Sequence, residues 1–347
     1  MFDKLNKFVK EVSDKVNEIT ENALANDQRE NTEEPEINID ELPLKNIPLA
    51  DIRKLSTSES LKALYDSVTI TPEHYKYYLE DYYLSVADKV FVSKDAIVAY
   101  YKNVVEKMRI PDLSSMLKCS QNQMQKIFRK TQTIADLFGV KQPDVYIFQL
   151  DMYGAAAEGL SSPWIELYSR SYEDMTDEEL SFMIGREIGH IQCNHLLYKI
   201  LIDFILDAAG YLNNIPGIGT LLNLIGPDRI KQSLRMVLYP WNRASEYTAD
   251  CAGYLATGGN LLTSCNAILK SVVRSKVLAD QSCVKDFYAQ VKEIDSMTGY
   301  LANYSKRDDV VPYGQYRIRE LIRYASSERG LMALKKVKSW EDKNAVR

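Results

Sequence analysis

Several things are missing from this 347-residue chain, and each absence narrows what it can be. Basic excess is missing: 43 Lys and Arg stand against 48 Asp and Glu, for a formal net charge of −5. That argues against nucleic acid as a partner, which would need an electropositive surface. The five cysteines (Cys119, Cys193, Cys251, Cys265 and Cys283) are odd in number and contain no C-x-x-C pair. They read as reduced thiols in a cytoplasmic protein. No uncharged apolar core lies near Met1, so the first residues do not read as a signal peptide. In the most apolar segment, residues 196–226, Asp203, Asp207, Asn213 and Asn214 interrupt every run of eighteen apolar residues. Spanning helices are therefore disfavoured there, and a helical hairpin turning at Pro216–Gly219 is expected. Whether that hairpin is buried or touches a membrane stays open.

What is present divides into units. In residues 1–25, Phe2, Leu5, Val9, Val12, Val16 and Ile19 alternate steps of three and four, which predicts an amphipathic helix. It can dock on its own protein or a partner, pair as a short coiled coil, or lie on a membrane surface, and the pattern allows all three. Residues 26–57 are acidic, carry Pro35, Pro43 and Pro48, and read as a linker. Residues 58–107 predict a tyrosine-rich helical accessory region with no assignable role. A helix should stop near Gly139, and short strands are expected at Val145–Leu150, Ala155–Leu160 and Trp164–Tyr168. The basic tail, residues 331–347, is expected to fray.

The chemistry gathers at residues 176–195. Thr176 with Glu179 forms a capping box, and Asp177 and Glu178 suit the positive end of a helix. Leu180, Ile184, Ile188 and Ile191 recur at helical spacing, predicting a buried helix with one functional edge. On it, Arg186, Glu187 and His190 fall where the motif H-E-x-x-H places two metal ligands and a general base. That motif works because residues four apart share a helical face, so two imidazoles can hold one zinc ion beside the Glu. Here the first His is Arg186. His195 lies about 140° further round the helix than His190 and reads as structural.

A second stretch, WNRASEYTADCAGY (residues 241–254), contains E-x-x-A-D. With GLSSPWIELYS before the motif helix and VPYGQYRIREL near the end, the chain resembles the HtpX-like and CAAX-prenyl-protease-like gluzincin zinc metallopeptidases (peptidase family M forty-eight). The resemblance runs from about residue 108 to 324. It implies an α+β, mostly α, zincin-like metallopeptidase domain over residues 108–330, with a small sheet beside the motif helix and an N-terminal helical extension. It also implies zinc as cofactor, Glu187 as catalytic base, His190 and Glu246 as metal ligands, and Asp250 as the acid that orients a ligand. An edge strand would pair with an extended substrate peptide, although Gly154–Ala155 replaces the usual Asn-Ala entry to it. Near the end, Pro312 and Arg317 match the family's closing element, whereas Val311 replaces its His.

Arg186 departs from that pattern in a way that decides the expectation. A guanidinium has no lone pair to give a metal and stays protonated. It removes one of three ligands and puts a positive charge where a dication belongs. Zinc is therefore expected to be weakly bound or absent. Arg186 is within reach of Glu246 or Asp250 and would there relieve a buried cluster of carboxylates. The leading expectation is a pseudopeptidase whose former substrate cleft binds a peptide or protein. The rivals are an active zinc endopeptidase with a non-standard site, and an interaction scaffold working through the N-terminal helix and the tyrosine-rich segment.

Overall fold

A computed structural model describes residues 69–90, 101, 113–207, 227–297 and 312–345. The expectations for residues 1–25 and 26–57, for the turn at Pro216–Gly219 and for Val311 lie outside the described residues. Within them the chain is mostly helical with one small mixed sheet.

The chain enters through two short pieces, α1 (Pro72–Tyr75) and α2 (Glu80–Val90). Strand β1 (Leu117–Lys118) follows, then α3 (Gln125–Phe138). Helix α3 ends at Gly139, whose φ of 62° supplies the left-handed cap that a side chain would resist. Then come β2 (Asp144–Phe148), β3 (Ala155–Glu158), β4 (Trp164–Tyr168) and α4 (Ser169–Asp174). The sheet order is β1-β2-β4-β3, with β2 and β4 parallel and the outer pairs antiparallel. The first two predicted strands each end two residues early, and the third matches to the residue. Among the described residues β3 pairs only with β4, so it forms an edge of the sheet.

The motif helix is α5 (Asp177–Gln192), followed by α6 (His195–Asp207) and α7 (Pro227–Ala256). Thr176 accepts from the Glu179 amide at 3.3 Å, and Glu179 accepts from the Thr176 amide at 2.7 Å, closing the capping box. Helices α5 and α7 share the largest helix contact, made over small residues. A Cβ on Gly185 would lie 2.3 Å from that of Ala256, and one on Gly189 would lie 2.6 Å from that of Ala252. Gly253 answers from the other side, packed on Phe182. This close approach brings the chemistry of the two helices to one locus.

The remaining helices are α8 (Leu261–Val273), α9 (Lys276–Gln281), α10 (Val284–Ser296), α11 (Gly314–Ser326) and α12 (Glu328–Ala345). The expected frayed tail is corrected by α12, which buries Leu334 and Val337 completely or nearly so. Apolar residues at helical spacing stabilise it by docking, and its lysines alternate with them. All five cysteines are unpaired. No helix among the described residues is long and apolar enough to cross a membrane.

Candidate functional site

Every sequence-predicted site residue meets at the α5–α7 crossing. Arg186, Glu187 and His190 project from α5, and Glu246 and Asp250 from α7; all five are buried. Arg186 is only 7% exposed and forks between two carboxylates. Its Nη2 donates to Glu246 Oε2 at 2.6 Å, and its Nη1 donates to Asp250 Oδ1. Asp250 also takes a two-pronged bond from Arg317 on α11, Nε to Oδ2 at 2.9 Å and Nη2 to Oδ1 at 2.7 Å. The aspartate thus sits between two guanidiniums. Burial works to lower the Arg186 pKa, but Asp250 and then Glu246 outweigh it and hold the group above its ordinary value.

Lys199 on α6 supplies a further cation that sequence reasoning missed. Its Nζ donates to Glu246 Oε1 at 3.0 Å and to His190 Nε2 at 3.2 Å. Burial works to raise the Glu246 pKa, yet Lys199 and then Arg186 keep it well below the ordinary carboxylate value. Burial, and next the Lys199 ammonium, drive His190 well below its ordinary value, so this imidazole is neutral. A spacing signal for Lys199 did exist. It lies four residues after His195, so both share the face of α6 turned toward His190.

The hydrogen-bond donors fix the tautomers along this line. An ammonium can only donate, so His190 Nε2 accepts and its Nδ1 carries the proton. Nδ1 then donates to His195 Nδ1 at 2.8 Å, and His195 Nε2 donates to Glu80 Oε1 at 3.0 Å. Glu80 Oε2 accepts from the Thr248 hydroxyl, and Thr248 Oγ1 in turn accepts from the Tyr77 amide at 2.8 Å. A metal-binding imidazole has this arrangement, with one nitrogen turned to the ion and the other held by a buried acceptor. His195 therefore positions His190 rather than facing the locus. Glu80 gives a role to the accessory region, where the sequence offered none. Tyr75 and Tyr77 of that region pack inward, with the Tyr75 hydroxyl donating to Gln192 Oε1 at 2.6 Å and the Tyr77 ring beside that of Tyr247.

Glu187 faces the sheet. Its Oε2 accepts from the Ala157 amide on β3 at 2.8 Å, and its Oε1 lies 4.0 Å from Arg186 Nε. Burial is the main cause that pushes its pKa up to about 7, against the lowering pull of Arg186 and Lys199. A carboxyl so placed is able to exchange a proton near neutrality, as a general base must.

The donor set does not fit zinc. Among the described residues no group of three or more His, Cys, Asp or Glu side chains is gathered to hold a metal ion. His190 Nε2 and Glu246 Oε1 are 3.6 Å apart. That is close to the roughly 3.4 Å expected of two tetrahedral ligands about 2.1 Å from one ion. The third ligand position holds Arg186, which has no lone pair, and Lys199 faces both remaining donors.

Two comparisons with known proteins found a match. Residues 121–271 match the model of Peptidase family M48, a span that holds α5, α6 and α7. Over 228 residues the chain is 24% identical to the plastoglobule-localized metallopeptidase 48, chloroplastic, of Arabidopsis thaliana. The match covers 63% of this chain and 62% of that protein, so the chain spans less than two thirds of this relative's length. No solved structure matches.

Proposed function

On the premise that this chain carries a Peptidase family M48 domain, we propose that it is a pseudopeptidase, a zinc-free protein that binds extended peptide segments without cutting them. The observation that carries this reading is the Arg186 fork. A permanent cation stands at a ligand position and is held there by one of the two remaining donors, Glu246, and by Asp250. A zinc ion would have to break both bonds, expel a buried guanidinium and then settle for two protein ligands, where catalytic sites use three. Glu187 retains a pKa suited to a base, but the base needs a metal-polarised water to act on.

The sheet supports the peptide-binding part of this reading. Strand β3 is an edge, and the Ala157 amide points away from β4 toward Glu187. Glu187 occupies that amide, so an added strand would pair with the other main-chain groups of this edge or displace Glu187 from it, and such pairing accepts many sequences because the contacts are main-chain ones. The partner class is therefore an extended peptide or an unfolded segment of a protein.

The test is elemental analysis of purified full-length protein together with a peptide-cleavage screen. The expected result is zinc far below one per chain and no cleavage distinguishable from a Glu187→Gln control. Stoichiometric zinc, with cleavage that Glu187→Gln abolishes, would overturn the proposal in favour of an active peptidase.

A further inference from the structure

We propose that the Lys199 ammonium takes the place of the metal ion itself, while Arg186 fills a vacated ligand position. Zinc is thus excluded twice, and the locus becomes a zinc site only when both residues are replaced. This rests on the reading that the wild-type protein holds no zinc.

The geometry separates the two cations. Lys199 Nζ lies 3.0 Å from Glu246 Oε1 and 3.2 Å from His190 Nε2, and those two atoms are themselves 3.6 Å apart. The ammonium therefore sits in the notch between the two ligand atoms and takes the lone pairs a metal would take. Arg186 does something different. It engages the other Glu246 oxygen, Oε2, and reaches away to Asp250. Its side chain leaves from the helical position four residues before His190, where the missing imidazole would start.

The surroundings agree. The proton on His190 Nδ1 is held by His195, and His195 is held by Glu80, so Nε2 is kept aimed at the locus. An imidazole whose acceptor nitrogen is aimed in this way is set up to receive a cation. That cation is delivered by α6, which begins after the left-handed residue Asn194, at φ 57°, and sets His195 and Lys199 against His190. With a side chain 32% exposed, Lys199 has a route to solvent and can be replaced without leaving a sealed cavity.

The experiment compares four full-length proteins: wild type, Arg186→His, Lys199→Met and the double variant. Each is equilibrated with equimolar zinc, desalted and analysed for metal. Zinc affinity follows from competition with a chelating dye, and thermal melting with and without zinc reports folding. The proposal expects near one zinc per chain in the double variant alone, with an affinity at least about 100-fold above that of Arg186→His, since one cation is removed from beside the ion. Arg186→His binding zinc as tightly as the double variant would overturn it, and so would a folded double variant that binds none. Zinc at one per chain in wild type is a separate result, which removes the pseudopeptidase reading itself. Where Lys199→Met fails to fold, Lys199→Gln takes its place and the same outcomes decide.

Discussion

Replacing Arg186 by Met and by Glu separates charge from volume at the centre of this protein. In the wild type Arg186, Lys199 and Arg317 oppose Glu187, Glu246 and Asp250. Methionine removes two charge-assisted bonds, worth about 1.5–3 kcal/mol each. It also removes a guanidinium whose burial costs several kcal/mol. Each carboxylate keeps another cation, Glu246 with Lys199 and Asp250 with Arg317. The net destabilisation expected for Arg186→Met is therefore about 1–3 kcal/mol.

Glutamate at the same position leaves two cations facing four carboxyl groups. A like-charge contact at about 4 Å and an effective dielectric near 20 costs roughly 4 kcal/mol. The cluster escapes part of this by keeping one carboxyl protonated. Against an ordinary carboxylate pKa, that itself costs about 3–4 kcal/mol at pH 7. With the lost Arg186 bonds added, the total is at least about 5 kcal/mol, comparable to the whole stability of many domains. The assay is urea unfolding followed by far-ultraviolet circular dichroism at pH 5.5 and 7.5. Arg186→Glu should be far less stable than Arg186→Met at pH 7.5 and should approach it at pH 5.5, where protonation is cheaper. Two variants within about 1 kcal/mol of each other at pH 7.5 would refute a charge-balanced cluster.

Three further outcomes follow. The Glu187 pKa is raised by folding from 4.5 to about 7, so the folded state binds the proton more tightly and stability falls as pH rises through that window. Glu187→Gln removes this penalty, so it should exceed wild type by up to about 3 kcal/mol at pH 8 and lose the advantage below about pH 4.5; a pH-independent difference in urea unfolding would contradict it. Asp250→Ala strands Arg317 and half of the Arg186 fork in a site where the aspartate is 1% exposed, and should cost about 3–5 kcal/mol in the same assay. A loss below about 1 kcal/mol would mean that those guanidiniums find water instead. Gly189→Leu puts a side chain where even a Cβ lies 2.6 Å from that of Ala252, and should separate α5 from α7; a soluble variant with an unchanged melting temperature would remove the close-approach argument.

Local patterns are legible in the chain itself. The Thr176–Glu179 box, the buried stripe of α5, the Gly139 stop and the strand at Trp164–Tyr168 depend on neighbours within a few residues, and one-dimensional spacing records those. The suitability of Arg186 as an ion-pair partner is legible too, because a guanidinium's donors and permanent charge are properties of the residue. Helix α12 is not, because its lysines give it the composition of a tail while its burial depends on surfaces distant in sequence.

What only tertiary structure decided is the set of partners around the locus. Glu80 lies 115 residues from His195, Arg317 lies 67 from Asp250, and Lys199 lies 47 from Glu246. Nothing in local spacing joins these pairs. They meet because glycines bring α5 against α7, because one left-handed residue separates α6 from α5, and because α2 and α11 pack on α7. The sequence by itself determined that an arginine stands where the motif places its first histidine; the packing of helices decided which carboxylates that arginine meets and which second cation joins it.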